Sequence, residues 1–149
     1  MRGWWDERVN DPHIATASPA DLTAVLEFRK DAAEGTSVSD DLAGVERLYA
    51  RDPHALLSAR RGGELVGTLI AGFDGRRCHL YRFAVHPAHR RQGIGTALLT
   101  AAEERFVALG GRRADAMVLG GNQDAHGAWD AAGYQPQDSW SRWVKPLTA

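Results

Sequence analysis

The sequence predicts a mixed α/β layer fold in one domain spanning residues 1–149. Three observations carry this. The length of 149 residues lets a single core bury roughly 68–70% of the unfolded surface. Hydrophobic periods of two and of about 3.6 residues alternate along the chain. No repeat, low-complexity tract or linker interrupts them. With 44% hydrophobic and 25% charged residues the composition is that of an ordinary globular domain, so no metal or disulfide staple is needed.

His13 to Ala17 reads as a first strand. Ser18 is an N-cap for a helix opening at Pro19 and carrying Leu22, Val25, Leu26 and Phe28. After a polar, acidic stretch from Asp31 to Asp41, a second helix places Leu42, Val45, Leu48 and Tyr49 at helical spacing. Asp52-Pro53 ends it. Strands follow over Ala55–Arg60, Glu64–Phe73 and Cys78–Val85, joined by Arg61-Gly62-Gly63 and by the tight-turn pair Asp74-Gly75. Strict alternation in the third puts Tyr81, Phe83 and Val85 on one face and Leu80, Arg82 and Ala84 on the other. A long helix runs from about Gly93 to Leu109, with Leu98, Ala102, Phe106 and Leu109 as its buried stripe. Arg113–Leu119 is a further strand, Gln123–Ala132 a short helix, and Trp140–Leu147 a last strand.

Several function classes are disfavoured. The formal net charge of -1 gives no basic excess to hold nucleic acid. Cys78 is the one cysteine, so no internal disulfide forms, and it reads as strand packing. No apolar run approaches the ~20 residues that cross a bilayer, and the charged start Met1 to Glu7 does not resemble a secretory segment; a cytoplasmic protein is expected. His86 and His89 are separated by Pro87 and have no third ligand close by, so no metal site is expected.

The chemistry is concentrated in Val85-His86-Pro87-Ala88-His89-Arg90-Arg91-Gln92-Gly93-Ile94-Gly95-Thr96. This loop joins a strand end to a helix start, where unpaired N–H groups and a partial positive charge attract phosphate. Gly93 and Gly95 let an anion reach the backbone, and Arg90 and Arg91 add charge-assisted hydrogen bonds. A diphosphate is the predicted ligand. Lysine is missing for a P-loop, and the glycines do not fit a dinucleotide fingerprint.

Arg90-Arg91-Gln92-Gly93-Ile94-Gly95 resembles the Arg/Gln-x-x-Gly-x-Gly/Ala signature of the GCN5-related N-acetyltransferase (GNAT) superfamily. Leu80 to Pro87 looks like that family's preceding strand, and Asn122 followed by Gly133-Tyr134 like its second landmark. The resemblance spans about residues 14 to 145. It implies a mostly antiparallel sheet of six to seven strands, splayed in a V between the strands at 78–85 and 113–119, with helices on both faces. Acetyl-CoA would enter the V: Phe83, Ala84 and Val85 would pair with the pantetheine arm, Arg90 and Arg91 would flank the loop, amides from Arg91 through Gln92, Gly93, Ile94 and Gly95 to Thr96 would hold the pyrophosphate, and Asn122 would contact the arm from the other side.

The implied reaction is direct attack of a primary amine, on a small molecule or peptide, on the thioester. The Val85 N–H is the expected oxyanion donor. The family's proton-donating tyrosine falls at Trp129, whose indole cannot practically release a proton; His126 is the replacement candidate. No acid stands on the strand before the loop, where His79-Leu80-Tyr81-Arg82 is found. Glu34, Asp40 and Asp41 are candidates for the base or for attracting a cationic acceptor. Trp4, Trp5, Trp140 and Trp143 read as core or edge-strand packing, an acceptor pocket, or contact in a homodimer. The missing tyrosine and acid leave one alternative, a non-catalytic acyl-CoA-binding or sensing module; a nucleotide-phosphate binder is a further one.

Overall fold

The computed structural model describes residues 11–32, 41–118 and 123–148. Strands β1 (His13–Thr16), β2 (Leu56–Arg61), β3 (Glu64–Phe73), β4 (Cys78–Val85) and β5 (Ala114–Ala116) form one sheet in sequence order. β1 through β4 are antiparallel neighbours and β5 is parallel to β4. Helices α1 (Leu22–Ala32) and α2 (Leu42–Arg51) cover one face. Helices α3 (Ile94–Ala108) and α4 (Gln123–Ala131) cover the other. The mixed α+β class with helices on both faces is therefore observed.

Each face has its own core. Leu22 and Val25 of α1 and Val45 of α2 pack with Leu56 and Ile70. Leu98, Leu99, Ala102 and Phe106 of α3 pack with Leu57, Leu69, Leu80 and Trp129. Each fully buried leucine contributes about 1.5–3 kcal/mol by leaving water, so these two stripes hold the helices to the sheet. Arg105 adds a polar strap: its Nε donates to Ala71 O at 3.2 Å and its Nη2 to Asp52 Oδ2 at 2.5 Å.

Several expectations are corrected. Five strands are found among the described residues, against six to seven expected. Residues 140–147 are not a strand, and Trp140 and Trp143 are 75% and 93% exposed rather than packed. Pairing of β5 ends at Ala116, short of the expected Leu119. The faces of β4 also change phase partway along. Thr68 pairs with Ala84 but Ile70 with Tyr81, so Leu69 stands opposite an extra residue, and Arg82 takes φ 49° there. This bulge puts Leu80 on the α3 face with Phe83 and Val85, while Tyr81 lies over Ile70 and Gly72 on the other. Strict alternation fails because a bulge consumes one residue without advancing the ladder.

Candidate active site

β4 and β5 touch through three rungs, Cys78–Ala114, His79–Asp115 and Leu80–Ala116. From Tyr81 onward, no β5 residue among those described accompanies β4, so the two strands part in a V. Backbone direction inside the V follows from the ladder on the other side. His86 N donates to Val66 O at 2.8 Å, which makes that rung hydrogen-bonded and the neighbouring Gly67–Val85 rung non-bonded. The Val85 N–H and C=O therefore point away from β3 and into the opening. Its carbonyl there accepts from Arg90 Nε at 3.3 Å. By the same alternation, Ala84 directs its polar groups at Thr68 of β3.

The loop that follows is held by His86, whose Nδ1 accepts from Ala88 N at 3.1 Å across the short 3-10 turn Pro87–His89. His89 N closes that turn onto His86 O at 2.8 Å. Among the described residues no three His, Cys, Asp or Glu side chains gather as a metal site. Arg91 then adopts φ 64° and Gly93 φ 82°. Gly93 is the N-cap of α3 and supplies no side-chain cap. The first bond into α3 runs from Ala97 N to Gly93 O at 3.0 Å. The N–H groups ahead of Ala97 have no partner within α3, as at any helix start. Gly93 faces open space, whereas Gly95 lies close against a side chain of β4. A Cβ on Gly95 would stand 2.9 Å from Phe83 Cζ, so its bare α-carbon lets α3 sit close on β4. Gln92 is engaged by Arg61 from the β2–β3 turn, and Arg90 and Arg91 are exposed.

The aromatic wall is settled by packing. Trp129 is 8% exposed, between Phe83 at 5.2 Å and Tyr134 at 5.0 Å between ring centroids. Tyr134 donates to Glu103 Oε1 at 3.1 Å. Burial, and then the Glu103 charge, push the Tyr134 hydroxyl well above its ordinary value, so it holds its proton at neutral pH. His126, one turn before Trp129, is exposed. Asp41 caps α2, its Oδ1 accepting from Gly44 N at 2.7 Å. Trp4, Trp5, Glu34, Asp40 and Asn122 lie outside the described residues.

One pair was not legible in the sequence. His79 Nδ1 lies 2.6 Å from Asp115 Oδ1 across the β4–β5 rung, at the apex of the V. Tyr81 stands beside it with ring centroids 5.8 Å apart, and burial, then Asp115 and Asp74, raise its hydroxyl. His79 and Asp115 are 36 positions apart, and the register that joins them is parallel, so no local motif announces them. Burial likewise raises the Cys78 thiol, which keeps it a packing group.

Known proteins are similar to this chain in sequence and in fold. The acetyltransferase (GNAT) family matches residues 22–134. An acetyltransferase of Sodalis glossinidius (strain morsitans) is 35% identical over 101 residues, 68% of this chain and 71% of its own. The aminoglycoside antibiotic 6'-N-acetyltransferase AAC(6')-Ig of Acinetobacter haemolyticus has the same fold, with a TM-score of 0.74 at 23% identity over 91% of this chain and 99% of its own. So has AAC(6')-Iy in complex with a bisubstrate analog, with a TM-score of 0.75 at 19% identity over 92% and 99%. The chain belongs to the GNAT family of acetyltransferases.

Proposed function

We propose that this chain moves the acetyl group of acetyl-CoA to a primary amine of a small molecule or peptide by direct attack. The observation that carries the reading is the Val85 N–H turned into the V, one short loop away from the uncapped start of α3. These groups fit the cofactor's two anionic demands. The N–H groups from Arg91 to Thr96, flanked by Arg90 and Arg91, suit a diphosphate. Acetyl-CoA supplies the activated acyl carbon and a thiol leaving group.

Val85 N–H stabilises the oxyanion that develops on the acyl group; a donor of this kind is worth ~2.7–4 kcal/mol. Trp129 shapes the wall and gives up no proton. Tyr134 is tied to Glu103 and does not serve as the acid either. A thiol with pKa near ~8.5 departs as thiolate without one. The amine enters from the apex side, where the His79–Asp115 pair receives its proton through water. That help matters for a lysine-like amine, which costs about 4–5 kcal/mol to deprotonate at pH 7, and scarcely for an α-amine near pKa ~8, at about 1 kcal/mol. AAC(6')-Iy was captured with CoA-S-monomethyl-acetylneamine, which supports including amino sugars among the acceptors to be tried.

The test is thiol release from acetyl-CoA against polyamines, aminoglycosides, amino acids and peptides, beside calorimetry with CoA. Amine-dependent release is expected. CoA binding without release from any amine would instead favour an acyl-CoA sensor, and no heat with CoA at millimolar dose would remove both readings.

A further inference from the structure

Two arginine pairs, far apart in the sequence, meet at the foot of the sheet. The parallel ladder between β4 and β5 begins at the Cys78–Ala114 rung. Arg77 and Arg113 stand one residue before that rung, and Arg76 and Arg112 two residues before it. Glycine turns bring the two strand starts together: Gly75 takes φ 98° in the β3–β4 hairpin and Gly110 φ 90° after α3. A Cβ on Gly111 would collide with Cys78 Sγ, so its bare α-carbon seats the second turn directly on β4. All four arginines line one cavity of about 340 Å³, where Asp115 is the one carboxylate among the described residues. Asp115 is already engaged, its Oδ1 lying 2.6 Å from His79 Nδ1. Asp74, in the hairpin, accepts from the backbone N–H groups of Arg76 and Arg77 at 2.8 and 2.6 Å. Its Oδ2 is 3.7 Å from Arg77 Nε. Among the described residues, no carboxylate makes an ion pair with Arg76, Arg112 or Arg113. Like charges held side by side repel. The chain as a whole carries a formal net charge of -1, so this cluster is a local concentration and no part of a general basic surface.

We propose that this cavity is a binding site for a small oligophosphate, separate from the loop at the start of α3. A guanidinium fork grips phosphate oxygens through two parallel N–H bonds, and four forks in one cavity suit a ligand with several adjacent charges. The volume stands at the small end of ligand cavities, which run from roughly 300 to 1,000 Å³. Among the described residues no aromatic side chain lines it, so nothing there stacks a base and the phosphates themselves are recognised. β4 is eight residues long, which puts the cavity roughly 25 Å from the loop beyond the strand's other end. One diphosphate cannot reach both. The β4–β5 rungs also stand between the cavity and the opening of the V.

The test is calorimetric titration of the full chain with inorganic triphosphate, with CoA in excess to fill the loop at α3. Binding of triphosphate is expected, weakened at least about tenfold in R77S/R113S by the loss of two charge-assisted contacts. It should also weaken as salt is raised. Arg77 and Arg113 are exposed, so thermal melting should find the variant folded, and its affinity for CoA should equal the parent's. A parent that gives no heat with triphosphate overturns the proposal, whether or not duplex DNA binds in its place. So does triphosphate binding that is equal in the parent and in R77S/R113S. A chain that ignores CoA yet loses triphosphate in R77S/R113S would sink the acetyl-CoA reading and keep this one.

Discussion

The two ends of β4 use opposite means to build one cleft. At the C-terminal end, the proposed function lies in the backbone: Val85 turns its N–H outward, Gly93 holds φ 82°, and α3 starts uncapped. At the N-terminal end it lies in side chains, with His79 and Asp115 joined at 2.6 Å beneath Tyr81. The first end needs contiguous residues, since consecutive amides must converge on one anion. The second needs only a rung between two strands. The contrast teaches that backbone sites leave a local signature in sequence, whereas cross-strand pairs depend on register.

The comparison breaks most clearly at Val85. Val85→Pro removes an N–H that makes no bond to β3, so the fold should persist while kcat falls about 10²–10³-fold; unchanged kcat in a folded variant would detach the oxyanion role from this residue. Next in size is His79→Gln. With a lysine-like acceptor we expect about a 10²-fold slower rate at pH 7, and with an α-amine little change. Equal losses for both acceptors, read from kcat/KM against pH, would mean that the pair shapes the apex without handling protons. The titratable groups that face His79 are Asp115, Tyr81 and Asp74.

Gly93→Ala forces a side chain into the left-handed region, at about 1–2 kcal/mol. A KM for acetyl-CoA about tenfold higher is expected with little change in kcat, and titration with CoA checks it. The smallest effect lies behind the aromatic wall, at the Tyr134 hydroxyl. Tyr134→Phe removes the bond to Glu103 and should cost about 0.5–1.5 kcal/mol in denaturant melts. Its pH dependence has a definite sign. Because the folded-state hydroxyl titrates above its unfolded value, the parent loses stability as pH rises past about 10, and the variant should lose less there.

Much of the architecture was readable beforehand. β3 and β4 begin and end where the alternating patterns and the Asp74-Gly75 turn put them, and α3 lies within a residue of the expected span, because strong periodicity and glycine stops act locally. Less readable was the bulge at Arg82, where nothing in Leu80-Tyr81-Arg82-Phe83 marks the extra residue. Gly95 also lies against Phe83, a contact visible only once α3 is laid on the sheet. Asp41, a candidate from the sequence for the base or for attracting a cationic acceptor, caps α2, a role that Asp residues before helices commonly take.

Sequence by itself determined the glycine-bearing, arginine-flanked helix start and the order of strands and helices around it, because both arise among residues close together in the chain. Tertiary structure alone decided which way the Val85 amide faces, which histidine meets a carboxylate, and that Trp129 is enclosed by Phe83 and Tyr134. Those outcomes depend on register, on one inserted residue and on the distance between packed layers, none of which is a local property of the chain.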